Sequence, residues 1–299
     1  MEKKSAVIIT KPLQYINASN ISNEKIKDLF VVSWFVNYEW FVETIALHDS
    51  NWNSIRVFSS RNQALKYVLR HRREYSDIFI DTDFGIGINM LFLLLYPISV
   101  SVYEEGWATY YYINPSLSAM KKWKWLLSRL FFHFDNYIGG SFFTQNIYVY
   151  NPVKYYSNIN NTRQRVLSFS EGFMEHVLSM KCFCDAYDCR LNLSKLKSPN
   201  VILYLGSWPE THYDYFASIH EEYVGYQSII KHHPHYVQDQ SIVSFIADIV
   251  VDADIPAEIV IAQLLKRVNN LVVVHEHTSA LMYIESDKIV DIDYYGIQF

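Results

Sequence analysis

Cysteine is scarce in this chain, basic residues are outnumbered by acidic ones, and no apolar run is long enough for a bilayer. The three cysteines, Cys182, Cys184 and Cys189, fall in one short stretch, KCFCDAYDC. Three thiolates are one ligand short of a closed zinc site, and their spacing lacks paired C-x-x-C arms. They read as reduced thiols, the state a cytosolic protein keeps. Against 31 acidic residues stand 26 basic ones, a net charge of −5, so no global positive field holds a nucleic acid by counterion release. The opening MEKKSAVIIT offers an apolar run of about five residues, short of the roughly seven to fifteen of a signal-peptide core, and a cytoplasmic location is expected. The longest apolar run, GINMLFLLLYPISVSVY, is broken by Asn89 and Pro97 and is shorter than the roughly 20 residues of a spanning helix. It predicts a buried helix followed by a buried strand. A glycine-rich phosphate fingerprint is missing too: TKPLQYINASN follows the first apolar run, and Gly85 with Gly87 is too little for a dinucleotide site.

What is present is a large apolar fraction, 50% of 299 residues, enough for a substantial core and a comfortable length for two domains. Short β-type runs, AVIIT, FVVSWFV, SIRVF, DIFID and ISVSVY, alternate with helical periodicity such as NQALKYVLRHRREY. That alternation predicts a parallel sheet flanked by helices. Polar, turn-rich segments from about Asn151 to Asn200 break the rhythm, after which VILYLG, YQSIIKHHP, DIVVDAD and NLVVVHEH alternate with YDYFASIHEEY and PAEIVIAQLLKRV. Pro256 suits a first helical turn. The expected division is an N-terminal acceptor-side domain over 1–160, a linker over 161–199 and a C-terminal donor domain over 200–299. Two α/β halves place a ligand cleft between them.

Several strand ends carry chemistry. The run Ile98–Tyr103 ends in Glu104–Glu105–Gly106, and ligands of parallel α/β sheets sit beyond the carboxyl ends of strands. Adjacent residues on an extended chain point to opposite sides, so one carboxylate faces a ligand and the other is structural, or both merely solvate a turn. In IIKHHPHY, His233 stands directly before Pro234 at another strand end, placed to hydrogen-bond or protonate a leaving phosphate. His232, His233 and His235 are too close along the chain to form a metal site unaided. In VVVHEHTSALMY, a strand runs through His277 into Thr278 and Ser279 and then a predicted helix, an anion site or a plain helix cap. Glu258, at the start of the preceding helix, either answers the helix dipole or accepts hydrogen bonds from a ribose diol. The D-T-D of Asp81–Asp83 has the form of a metal-binding motif for a nucleotide diphosphate, a reading that leaves the histidine and Thr-Ser features without a role.

The order of these features, an acid pair before glycine, then H-P, then T-S, resembles that of bacterial sialyltransferases, and TKPLQYINA is similar to the start of glycosyltransferase family 52, which includes lipooligosaccharide sialyltransferases. The resemblance implies an α/β GT-B architecture, two Rossmann-like domains facing a central cleft. It implies an inverting transfer of sialic acid from CMP-sialic acid to a galactoside hydroxyl of a bacterial surface glycan: a lipooligosaccharide, an O-antigen or a capsule. By the same resemblance Glu104 or Glu105 is the general base, with Glu104 favoured, and His233 with Pro234 meets the CMP phosphate. Thr278 and Ser279 bind that phosphate, and Glu258 holds the ribose or cytosine. Asp83 lines the acceptor side. No metal cofactor is implied, because one phosphate can be managed by imidazole, hydroxyls and N–H groups. The C-terminal half is short for a nucleotide domain, so its sheet is expected to be trimmed or completed by a partner chain, which leaves a homodimer open. The remaining alternatives are another nucleotide sugar on the same fold, or a non-catalytic glycan- or lipid-binding protein of a polysaccharide assembly complex.

One helix points to a surface. Over Lys121–Phe134, Trp123, Leu126, Leu127, Leu130, Phe131 and Phe134 recur at helical spacing, and Lys121, Lys122, Lys124 and Arg129 lie mostly elsewhere. Two readings stand: a core-packing helix with a basic outer face, or an interfacial helix that docks peripherally on the inner membrane near a lipid-linked acceptor.

Overall fold

Runs of Val, Ile, Leu and Phe that are apolar at almost every position suit strands buried on both faces, which is what a parallel sheet covered by helices requires. The computed structural model describes residues 2–22, 24–113, 119–160, 162–188, 190–206, 212–233, 247–276 and 278–295, with only the backbone at 119–122 and 124. The chain divides into two compact units, Met1–Gly172 and Phe173–Phe299.

In the first unit the elements run β1 (Lys4–Ile9), α1 (Pro12–Ser19), β2 (Lys27–Val32), α2 (Tyr38–His48), β3 (Trp52–Phe58), α3 (Arg61–Arg70) and β4 (Tyr75–Ile80). Then follow α4 (Ile86–Leu95), β5 (Ser99–Tyr103), a 3-10 turn (Trp107–Tyr110), α5 (Ala119–Phe132), β6 (Thr144–Val149), α6 (Pro152–Asn158) and β7 (Arg165–Ser168). The sheet order is β3-β2-β1-β4-β5-β6-β7 with every neighbouring pair parallel. This is the Rossmann order, and it reverses direction between β1 and β4, where ligands of open α/β sheets bind. Helix starts follow local chemistry: Pro12 opens α1, and the Ser60 side chain caps α3 by accepting from the Gln63 N–H at 3.3 Å. The core packs Ile8, Phe30, Ile78, Ile80 and Val102 of the sheet against Leu65, Val68 and Phe92 of α3 and α4.

In the second unit α7 (Phe173–Ser179), α8 (Lys181–Asp188), β8 (Asn200–Leu205), α9 (Tyr213–Glu222), β9 (Gln227–Lys231), β10 (Ile249–Val251), α10 (Ala257–Leu265), β11 (Asn270–His275), a 3-10 turn (Ala280–Tyr283) and β12 (Ile289–Asp293) follow in order. The sheet is parallel with order β10-β9-β8-β11-β12, so its direction reverses between β8 and β11. Pro256 is the N-cap of α10, one place before the expected first turn.

The 161–199 stretch expected as a linker contains the division between the two units and carries β7, α7 and α8, short elements whose brevity breaks the sequence rhythm. Two expectations are corrected. The α4 helix, expected to be buried, hides only one face: Met90, Leu93 and Leu94 are exposed. The helix expected after Thr278–Ser279 is a four-residue 3-10 turn. Pro234, His235 and His277 lie outside the described residues.

Candidate functional site

The carboxyl end of the first sheet is built around acids with very different surroundings. Glu104 is fully buried; its Oε2 accepts from the Tyr110 hydroxyl at 2.6 Å and the Tyr150 N–H at 2.9 Å. The Asn17 amide donates to the Glu104 carbonyl at 2.9 Å, and Gly106 (φ 121°) then turns the chain through a backbone region that residues with a Cβ avoid. Burial, and then the adjacent Glu104 charge, push the Tyr110 hydroxyl far above its ordinary pKa, so it stays a donor. Glu104 therefore ties β5 to the segment after β6. It is the fully buried member of the acid pair.

Glu105 takes the other side. Its side chain is 27% exposed, with Oε1 3.1 Å from Lys11 Nζ, and its N–H donates to Thr109 Oγ1 at 2.9 Å. Burial raises its carboxyl above the ordinary value, Lys11 opposes that rise, and Asp81 reinforces it. Behind it Asp81 is fully buried between Arg61, whose Nε donates to Oδ1 at 2.8 Å and whose Nη2 pairs with Oδ2, and Gln14, whose Nε2 donates to Oδ2 at 2.7 Å. Burial works against the Arg61 charge, but its bonds to Asp81 outweigh that and raise its pKa. The guanidinium also lies 4.8 Å over the Trp34 ring. Thr10, Lys11 and Gln14 follow β1, Asp81 follows β4 and Glu105 follows β5, so the cluster occupies the switch point of the sheet.

Asp83 does not join it. Fully buried, its carboxylate accepts from the Gly139 N–H at 3.0 Å, the Ser141 N–H at 2.8 Å and the Thr144 hydroxyl at 2.8 Å. These bonds anchor the turn into β6 and leave the carboxylate, expected on the acceptor side, fully buried. Gly139 (φ 92°) is demanded there twice over, since a Cβ would sit 2.4 Å from Ile147 Cδ1. Asp81 and Asp83 thus belong to separate internal networks. Among the described residues no group of three or more His, Cys, Asp or Glu side chains is placed to hold a metal ion.

At the carboxyl end of the second sheet, β9 finishes in Lys231, followed by His232 and a half-buried His233. Lys231 is buried, and its Nζ donates to the His232 carbonyl at 2.6 Å and the Ala253 carbonyl at 3.0 Å. Burial lowers its pKa to about 8, against the opposing pull of Glu258 and Asp254. Glu258 is buried in the first turn of α10, so the structure gathers it with the segment before Pro234 through Lys231. His232 Nδ1 lies 3.2 Å from the Tyr213 hydroxyl, and burial followed by the Lys231 charge lowers its pKa. Thr278 stands beyond β11, its N–H donating to His275 Nδ1 at 3.3 Å and its Oγ1 accepting from the Ala280 N–H at 3.2 Å. Ser279 is the N-cap of the 3-10 turn without a side-chain cap bond. β11 and β9 both flank β8, so the two groups lie at the ends of non-adjacent strands.

Sequence reasoning missed Lys11, Arg61, Lys231, His212 and Glu276. The signal for Lys11 and Arg61 was positional, since Lys11 follows a predicted strand directly and Arg61 stands three residues beyond another. His212 and Glu276 are 64 residues apart and meet only through the pairing of β8 with β11.

No protein-family model and no curated protein matches this sequence. Solved structures do. A UDP-GlcNAc 2-epimerase from Neisseria meningitidis bound to UDP-GlcNAc is similar at a TM-score of 0.56 and 10% identity, over 93% of this chain and 78% of that one. MnaA of S. aureus, in a co-structure with UDP, gives 0.54 and 10%, over 94% and 76%. The wall teichoic acid polymerase TagF, soaked with CDPG, gives 0.52 and 13%, over 93% and 66%. At these identities the likeness is one of fold, and the chain has the GT-B fold of two Rossmann-like domains.

Proposed function

We propose that this protein is a GT-B glycosyltransferase acting on a nucleotide sugar, and specifically an inverting sialyltransferase that uses CMP-sialic acid. The observation that carries the enzyme reading is Glu105, a partly exposed carboxylate at the switch point whose ionised form Lys11 supports. In this mechanism Glu105, rather than Glu104, removes the proton from a galactoside hydroxyl. The acceptor oxygen bonds to the anomeric carbon while the bond to the phosphate oxygen breaks, and CMP departs with that electron pair. His233 with Pro234, Thr278 and Ser279 take the phosphate, Glu258 serves the ribose or cytosine, and no metal is required. The donor assignment is supported by the motif order and by the TKPLQ opening. The rival donor is another nucleotide sugar, as the fold is shared with the Neisseria enzyme that binds UDP-GlcNAc.

A lipid-linked glycan at the cytoplasmic face of the membrane is the proposed acceptor. In support, Trp123, Leu126, Leu130, Phe131 and Phe134 are exposed along and just after α5, and Met90, Leu93 and Leu94 extend the apolar surface on the neighbouring α4. The α5 sequence holds Lys121, Lys122, Lys124 and Arg129 with no acidic residue, which suits anionic lipid. No helix among the described residues is long and apolar enough to cross a membrane. Flotation with anionic vesicles is expected to carry the protein upward, and equal behaviour with and without lipid would remove this part of the reading. For the chemistry, Glu105→Gln is expected to lose transfer while retaining CMP binding. Full transfer by that variant would overturn the base.

A further inference from the structure

At the switch point of the second sheet stands an imidazole with no role so far. Glu276 directly follows β11 and its side chain is 1% exposed. A buried carboxylate is kept only where donors satisfy it. Here the Tyr204 hydroxyl donates to Oε1, and the His212 N–H reaches both Tyr204 Oη at 2.8 Å and Oε1 at 3.3 Å. The His212 ring sits beside the same group, with Nδ1 2.9 Å from Glu276 Oε2. Its face stacks on Tyr294, centroids 4.1 Å apart at 24°. The backbone N–H and the ring face are thus held and Nδ1 lies in close contact with the carboxylate, without an aligned hydrogen bond, while Nε2 has no hydrogen-bond partner among the described residues. The ring is 26% exposed.

A carboxylate beside one ring nitrogen and an aromatic ring stacked on the imidazole face restrict its orientation and leave the other nitrogen for a ligand. The position is the one where this topology binds ligands, between β8 and β11 beyond their carboxyl ends. A solvent-facing imidazole needs no buried carboxylate, stacked tyrosine and backbone tether to stay folded.

We propose that His212, positioned by Glu276, binds the phosphate of the nucleotide and serves as the general acid for its departure. The inference rests on the nucleotide-sugar reading above and deepens it. As the bond from the anomeric carbon to the phosphate oxygen breaks, its electron pair stays on that oxygen, and the proton on Nε2 of the imidazolium passes to it. The neutral ring then regains a proton from solvent. Glu276 does not touch the substrate and is a positioning residue.

The test uses the full chain, with CMP, UMP, UDP and GDP as binding probes and CMP-sialic acid as donor, turnover being read as nucleotide release. His212→Ala is expected to lower turnover by about a hundredfold or more, with part of the loss restored by added imidazole. His212→Asn serves if the alanine variant melts early. Glu276→Gln, which keeps the shape but replaces the charged carboxylate with a neutral amide, is expected to lower kcat more than it raises KM. Turnover within threefold of the parent in both His212 variants would overturn the inference while leaving the nucleotide-sugar reading standing. A parent protein that binds none of the four nucleotides would overturn both.

Discussion

Replacing Lys11 with Met tests the electrostatics of the candidate base without needing its acceptor. Lys11 Nζ lies 3.1 Å from Glu105 Oε1, with side-chain exposures of 41% and 27%. Two unit charges about 4 Å apart attract by roughly 4 kcal/mol at an effective dielectric near 20 and roughly 1 kcal/mol in water. Because the ammonium is more than a third exposed, solvent screening puts the pair near the surface-pair scale of about 1 kcal/mol. With that attraction lost, Lys11→Met should raise the Glu105 pKa further. The sign follows from the causes: burial already raises this carboxyl above its ordinary value, Lys11 opposes the rise, and removing Lys11 leaves burial and Asp81 less opposed. In stability terms the fold holds the Glu105 proton more tightly than the unfolded chain does. Its contribution is therefore present at low pH and lost as pH rises from 4.5 through the raised value, over a wider window in the variant. The assay is a 13C titration of glutamate side-chain carboxyls, with Glu105→Gln identifying the resonance. A Glu105 titration unmoved by Lys11→Met, at low salt where screening is weakest, would refute the pairing.

Arg61→Met is expected to cost about 3–5 kcal/mol in urea unfolding, because it strands the fully buried Asp81. Arg61→Met with Asp81→Leu should recover most of that loss, and equal losses in the single and double variants would contradict it. Lys231 has a depressed pKa, about 8 against an ordinary 10.5, so the unfolded chain binds its proton across that window and the fold does not. Stability relative to Lys231→Met should accordingly rise between pH 8 and 10.5, by up to roughly 3 kcal/mol at about 1.4 kcal/mol per unit, and a flat difference would exclude the shift. Cys182 is exposed, whereas burial pushes the Cys184 thiol up to about 11, so alkylation near neutral pH should label Cys182 well before Cys184 by peptide mapping.

The alternation of strands and helices was legible because parallel strands here are apolar on both faces, as in KSAVII and NVILYL. Ends and edges were less so. FVVSWFV overran β2, since Trp34 leaves the sheet to lie exposed beside Arg61, and β6 escaped notice because TQNIYV mixes polar residues into its pattern. The acid pair was readable as one structural and one outward group. Which was which depended on Tyr110 and on Tyr150, 46 residues away, and the family resemblance favoured Glu104, the member that the structure buries. Asp83 illustrates the same limit: its three donors come from residues 139–144, and nothing near it in sequence announces them. Lys231 was legible only as the residue before two histidines, because burial that lowers its pKa is a tertiary property.

Thermal unfolding of the purified protein with CMP, CDP, UMP, UDP and GDP in turn, without added metal, tests the central claim most directly. A ligand at about 100 times its Kd adds roughly 2.7 kcal/mol, enough to raise the midpoint by several degrees. The account predicts stabilisation by CMP above the other four. Stabilisation by UDP or GDP in its place would contradict the donor, and no shift with any nucleotide would contradict the assignment to nucleotide-sugar chemistry altogether.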